Sequence, residues 1–165
     1  MAYEPKKFRQ ILGHFAAGVT VVTVKVGNEY HGMTANAVSS VSLVPPLVLC
    51  CVDHRTRLHR YLDSGQVDGF AISFLGEDQV ALSNHFASIT VLDRSPFESE
   101  PIQFASSGAP ILSNGIAWVD CRLHSKLIAG DHTIYVGEVL DLDLARAETG
   151  PLIYYKGKYG TVKGV

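Results

Sequence analysis

No charge of one sign dominates this chain. Its 14 lysines and arginines stand against 16 aspartates and glutamates, a formal net charge of -2, so the basic field that would gather a nucleic acid is missing. Long hydrophobic runs are missing as well. The most apolar stretches, "VTVVTVKV" and "VPPLVLCCV", fall far short of the roughly 20 residues needed to span a bilayer, and no membrane segment is expected. The opening residues, "MAYEPKKFRQ", hold no apolar segment ahead of a cleavage site, so a secretory leader is not expected and the cytoplasm is the default location. The three cysteines, Cys50, Cys51 and Cys121, are an odd number with two adjacent. They make neither a disulfide framework nor a metal-ligand spacing and read as buried, reduced thiols.

The common catalytic signatures are absent in turn. There is no G-x-G-x-x-G after a strand, no Walker-type phosphate loop, no H-E-x-x-H and no G-x-S-x-G elbow. His54 and His59, five apart, fall on different sides of a helix, so no metal site is expected.

What is present is one domain's worth of chain. With 165 residues, 47% of them hydrophobic, a single domain spanning residues 1–165 with one core is expected. Phe8, Ile11, Leu12 and Phe15 lie at i, i+3, i+4 and i+7, which predicts a packing helix stopped near Gly18. The period then changes. "VTVVTVKV" is β-branched and alternating, "GNE" is a turn, and a second extended segment completes a hairpin. After Pro45 and Pro46, "LVLCCV" suits a strand covered on both faces, and "RTRLHRYLDSG" a short helix ended by Gly65. "GFAISFL" predicts another strand and "EDQVALSNHFA" another helix. Residues 88–114, with Pro96, Pro101 and Pro110 and no sustained period, read as a long excursion or lid. Beyond them Val119, Cys121 and Leu123 alternate with Asp120, Arg122 and His124, as in a half-buried antiparallel strand. A Gly-Asp turn at 130–131 leads into "HTIYVGEVLDLDL", and "PLIYYKGKYGTV" adds two short extended pieces. Six or more strands with few helices predict a mainly β fold, an antiparallel barrel closed or nearly so.

Three stretches bear on chemistry. In "GMTANAVSSVS", Thr34, Ser39, Ser40 and Ser42 offer hydroxyls while Gly32, Ala35 and Ala37 let another molecule approach the backbone. That suits a flat polar ligand, and equally a strand packed against a neighbouring strand or subunit. In "HRTRLHR", Arg55, Thr56, Arg57 and Arg60 follow a buried strand. Guanidinium, hydroxyl and backbone N–H make a phosphate site without a glycine-rich loop, or else a solvated helix face. In "GDHTIYVGEV", Asp131 and His132 enter a strand, where the histidine orients a ligand or simply sits half exposed beside a turn aspartate.

Together these stretches resemble the short-chain flavin reductases, the reductase components of two-component flavin monooxygenases. The likeness runs in order through "FRQILGHFAAGVTVVTV", "GMTANAVSSVSLVPPLVLCCV", "GFAISFLGEDQVALSNHFA", "GAPIL", "GDHTIYVGEV" and "PLIYYKGKYG". The resemblance implies an FMN-binding split barrel: six antiparallel strands in Greek-key order with a few short helices, paired as a homodimer. It further implies FMN or FAD in a groove near the subunit interface, NADH or NADPH as cosubstrate entering over the flavin, and a monooxygenase partner.

Carried onto this chain, it places Met33, Thr34, Ala35 and Asn36 along the isoalloxazine, and Ser39 and Ser40 at the ring edge or ribityl chain. Cys50, Cys51, Val52 and Asp53 would contact flavin mainly through backbone, and His54, Arg55 and Thr56 would reach the phosphate. Ser83 and Phe86 are lesser neighbours. His132 matches the histidine at the nicotinamide side, with Tyr155 and Tyr159 beside it. One departure stands out. Leu58 occupies a position where relatives carry a second hydroxyl in the phosphate loop. The implied reaction moves hydride from nicotinamide to flavin N5 with the rings at roughly 3 to 3.5 Å, needing no side-chain base. Backbone N–H groups near Ala35, Asn36 and Val52 are the expected donors to the flavin edge. A non-catalytic flavin carrier on the same barrel, and a relative oxidising a pyridoxamine-type substrate, are the alternatives.

Overall fold

Alternation in "TVVTVKV" gives a strand with two buried faces, and the rest of the barrel is built outward from it. The computed structural model describes residues 4–162, so the single domain expected over 1–165 is described within those limits. Its elements, in chain order, are α1 (Pro5–Leu12), β1 (Ala17–Gly18), β2 (Thr20–Val26), β3 (Glu29–Ala35), β4 (Val38–Leu43), β5 (Pro46–Asp53) and α2 (Arg57–Asp63). They continue as β6 (Gly69–Phe74), α3 (Val80–Phe86), α4 (Pro96–Ser99), β7 (Ile102–Phe104), β8 (Pro110–Leu112), β9 (Ala117–Ala129), β10 (His132–Asp143), β11 (Ile153–Tyr155) and β12 (Lys158–Gly160).

The main sheet has seven antiparallel strands in the order β3-β2-β6-β9-β10-β5-β4, one more than the six expected. Its two edge strands, β3 and β4, are consecutive in the chain and joined only by Asn36 and Ala37. The sheet therefore curls round until its edges meet, a split barrel. Val22 and Val24, Ala35, Cys50 and Val52, Phe70 and Ile72, Cys121 and Tyr135 point from its strands into one interior cluster. Gly130, at φ +68, makes the tight return from β9 to β10, a conformation that a side chain resists.

Several elements depart from expectation. Helix α1 stops at Gly13 rather than Gly18. Phe8, Ile11 and Leu12 on its apolar face, and Phe15 just beyond it, are exposed. Strand β5 is not covered on both faces. Val48, Cys50 and Val52 face the interior, while Leu47, Leu49 and Cys51 are only half buried for want of an outer layer. The thiols are all free, but Cys51 is not buried as expected. Burial pushes Cys50 and Cys121 up to about 12, so both are inert.

The long excursion is mostly a second layer rather than a lid. The β7–β8 hairpin lies over the outer face of β2, β6 and β9, with Ala109 and Ile111 packed on Ala71 and Trp118. Leu112 N donates to Ser73 Oγ at 3.0 Å and Thr23 Oγ1 to the Pro110 carbonyl at 2.5 Å. This cover explains Asp120. Alternation places it on the outer, polar face of β9, yet it is fully buried, taking Ser107 N at 2.8 Å on one oxygen and the Ser107 hydroxyl on the other. Asp120→Ala strands both Ser107 donors. It is expected to cost about 1–3 kcal/mol by chemical denaturation, with turnover per folded molecule unchanged.

Candidate functional site

The site grows from the way α2 closes one end of the barrel. Thr56 caps the helix, its hydroxyl accepting from His59 N at 3.1 Å and donating to the Asp53 carbonyl at 2.8 Å. Leu58 and Leu62 are buried in the interior cluster. Leu58, where a hydroxyl was expected, is thus the anchor of the helix. With Leu58 and Leu62 turned inward, Arg57 and Arg60 are left exposed at the surface.

Helix α3 forms the facing wall. Leu82 and Phe86 pack in a second cluster with Val19, Val21 and Leu112, and the Ser83 carbonyl accepts from Thr34 Oγ1 at 2.7 Å. The Phe86 ring lies directly on Gly32, where a Cβ would come within 2.5 Å of Cε1. The room at Gly32 is therefore taken by Phe86, and Ala35 faces the core. Internal packing accounts for two of the small residues that sequence alone assigns to ligand approach. Between these walls is a cleft of about 670 Å3, within the usual range for small-molecule sites, lined by His31–Thr34, Arg55–Arg57, Arg60 and Phe86–Ser88.

The cleft is cationic. Arg55 is spent on Asp53, which accepts from Nη2 at 2.6 Å and from Nε at 3.0 Å; these bonds hold the Asp53 carboxyl far below the usual carboxylate range. Arg57 and Arg60 have no carboxylate partner among the described residues, and no acidic side chain lines the cleft. Burial, then Arg57 and Arg60, push His31 below its ordinary value, so the imidazole is neutral near pH 7. Two unpaired guanidiniums beside a neutral ring want an anion, and a phosphate fits their fork geometry.

A smaller recess of about 170 Å3 continues the cleft, sharing Thr34 and Ala87 and adding Val19, Asn36, Ile89, Tyr154 and Tyr159. Each hydroxyl has one proton, which orders the polar wall behind it. Tyr159 donates to Asn84 Oδ1 at 3.0 Å, so Ser83 Oγ donates to Tyr159 at 2.9 Å. Thr34, its proton given to the Ser83 carbonyl, offers the groove only an acceptor.

Of the residues singled out from sequence, Met33, Thr34, Asn36, Arg55, Thr56, Phe86 and Tyr159 line this groove. Ser83 is buried behind it. Ser39 and Ser40 are exposed on β4, Cys50 and Val52 point into the barrel, and Cys51 and Asp53 lie on β5 beside β10. His54 is turned to Thr133, Nε2 to Oγ1 at 3.0 Å, and Tyr155 meets His14 edge-on. His132 opens β10 opposite Asp53, its Nδ1 at 2.7 Å from Asp131 Oδ1 and its ring 41% exposed. Sequence reasoning did not single out His31, Ala87, Ser88 or Tyr154. Arg57 and Arg60 were candidates there for a phosphate site or a solvated helix face, and only Arg55 was carried to the flavin phosphate. The helical spacing of Arg57 and Arg60 from Leu58 and Leu62 is the signal that separates them from Arg55.

A split barrel with a cationic groove running into an aromatic recess has a shape and charge suited to a flat, anionic ligand. Residues 12–163 match the family model described as flavin reductase like domain. The chain is 36% identical over 155 residues, 93% of its length and 79% of the relative's, to the reductase component of a 4-nitrophenol 4-monooxygenase/4-nitrocatechol 2-monooxygenase from Rhodococcus opacus. It is 39% identical over 151 residues, covering 88% of itself and 80% of the relative, to an NADH-dependent FAD reductase from Streptomyces globisporus. An NADH:FAD oxidoreductase of that organism, solved in complex with NAD and FAD fragments, superposes with a TM-score of 0.84 at 36% identity over 97% of this chain and 95% of that one. The chain belongs to the flavin reductase family. It is an oxidoreductase that reduces flavin.

Proposed function

We propose that this chain is the NADH-dependent reductase component of a two-component monooxygenase, working as a homodimer and passing FMN or FAD in reduced form to its oxygenase. The single observation that carries the site is the groove itself. Its cationic end holds unpaired Arg57 and Arg60, and its other end is the recess of Thr34, Asn36 and Tyr159. The relatives' descriptions as NADH-dependent reductases and monooxygenase components support the nucleotide and the partner. The exposed Ile11 and Leu12 of α1, with Phe15 just beyond it, support the second copy.

When bound, flavin supplies a hydride acceptor at N5. The chain's own residues do the rest. Arg57 and Arg60 bind the phosphate by charge-assisted hydrogen bonds, and Met33 and Phe86 exclude water from the ring. Thr34 and Asn36 set its orientation, since Thr34 accepts but does not donate. His132 lies on the flank formed by β5 and β10. Asp131 Oδ1 holds its Nδ1 at 2.7 Å, which leaves Nε2 to meet the nicotinamide carboxamide.

The test is NADH oxidation by purified protein with and without added flavin. Turnover that depends on added FMN or FAD is expected, and flavin that binds but is not reduced by NADH would overturn the reading in favour of a carrier. His132→Ala should raise the KM for NADH by about tenfold, the worth of one hydrogen bond, with the Kd for FMN within twofold of the parent.

A further inference from the structure

We propose that Tyr135 and His59 are positioning residues that hold α2 in register with β10, so that Arg57 and Arg60 meet the flavin phosphate; this rests on the groove being the flavin site. Tyr135 is fully buried in the barrel, where phenylalanine would fill the same space without a polar atom. Its hydroxyl instead reaches out of the core to His59 Nδ1 at 2.8 Å, with the His59 carbonyl at 3.4 Å.

With the imidazole proton on Nε2, the phenol is the donor of this bond. Burial pushes the Tyr135 phenol up to about 12, so it keeps its proton and donates. Burial, and then His54, push His59 below its ordinary value, and a neutral ring protonated at Nε2 accepts at Nδ1. Two residues earlier on the same face of β10, buried Thr133 holds His54 Nε2 at 3.0 Å, and the two imidazoles lie 4.5 Å apart.

Two hydroxyls of one strand thus grip the two histidines that bracket Arg55, Thr56, Arg57 and Leu58. Thr56 and Arg57 line the groove from inside that bracket, and Arg60 lines it from the position next to His59. The same strand begins at His132. β10 therefore ties the cationic end of the groove to the histidine on the nicotinamide side.

The experiment titrates the whole 165-residue chain with FMN and with riboflavin, which lacks the phosphate, by flavin fluorescence, and measures Tm alongside. Tyr135→Phe should weaken FMN about fivefold, with riboflavin within twofold. His59→Leu should repeat that selective loss, and His59→Asn, which keeps an acceptor near the place of Nδ1, should restore most of it. Equal loss of both flavins, or a fall in Tm with the FMN-to-riboflavin ratio unchanged, would overturn the proposal. Arg57→Ala/Arg60→Ala separates the two readings. If that variant binds FMN as the parent does, the groove reading fails and the clamp with it. If it loses FMN while Tyr135→Phe and His59→Leu do not, the clamp alone fails.

Discussion

Arg57→Ala combined with Arg60→Ala is expected to weaken FMN binding on the order of 100-fold while leaving riboflavin within twofold. Neither guanidinium has a carboxylate to satisfy among the described residues, so both are available to a ligand, and no acidic side chain lines the cleft to compete. Both are exposed, which screens each contact toward the low end of a charge-assisted hydrogen bond; two at about 1.5 kcal/mol give about 3 kcal/mol, or two decades in affinity. Arg55→Ala should do much less, because Arg55 is 88% exposed and already committed to Asp53. The loss should shrink as salt is raised, since it is the loss of screened charge. Fluorescence titrations with both flavins at low and high ionic strength check this. A loss shared equally by riboflavin, or an Arg55 effect as large as the pair's, would place the phosphate elsewhere.

The contrast between Arg55 and its neighbours shows where legibility in the sequence ends. "HRTRLHR" reveals a basic segment after a strand, and Thr56 and Gly65 bound its helix. Which arginines are free depends on Asp53 folding back on Arg55 and on Leu58 and Leu62 plugging the barrel. The strands were legible for a local reason. Alternation in β2 and β10 and the Gly-Asp turn are properties of a few adjacent residues, and pairings such as Val22 with Met33 follow from them. Asp120 was not, because its cover arrives from a hairpin that the same local pattern cannot place. Nor was the exposure of Ile11 and Leu12 on α1, whose spacing says only that something should cover them. In the site, motif order was enough to identify the family, while the groove's membership was not. The nearest signal for His31 and Tyr154 is their place beside residues already singled out, and Ser88, at φ +58, carries no sequence mark at all.

Gly32 makes the remaining case, since its packing partner lies far along the chain. Gly32→Ala would set a Cβ 2.5 Å from Phe86 Cε1 and 2.7 Å from Cδ1, closer than carbon atoms approach, so the ring must move. It cannot retreat inward. Val19, Val21, Leu82 and Leu112 fill the cluster behind it, and Phe97 lies 5.4 Å away, centroid to centroid. The direction left is the groove that Phe86 lines, so overpacking is expected to cost about 1–3 kcal/mol of stability and to obstruct the cleft. Riboflavin and FMN should lose affinity together, roughly tenfold, because the obstruction is steric and removes no charge. Phe86→Leu in the Gly32→Ala background should return much of the stability, and a double-mutant cycle over the two positions measures their coupling. An additive cycle would mean that the two do not touch. A selective loss of FMN would mean that Phe86 borders the phosphate rather than the ring, which would reverse the orientation of flavin along the groove.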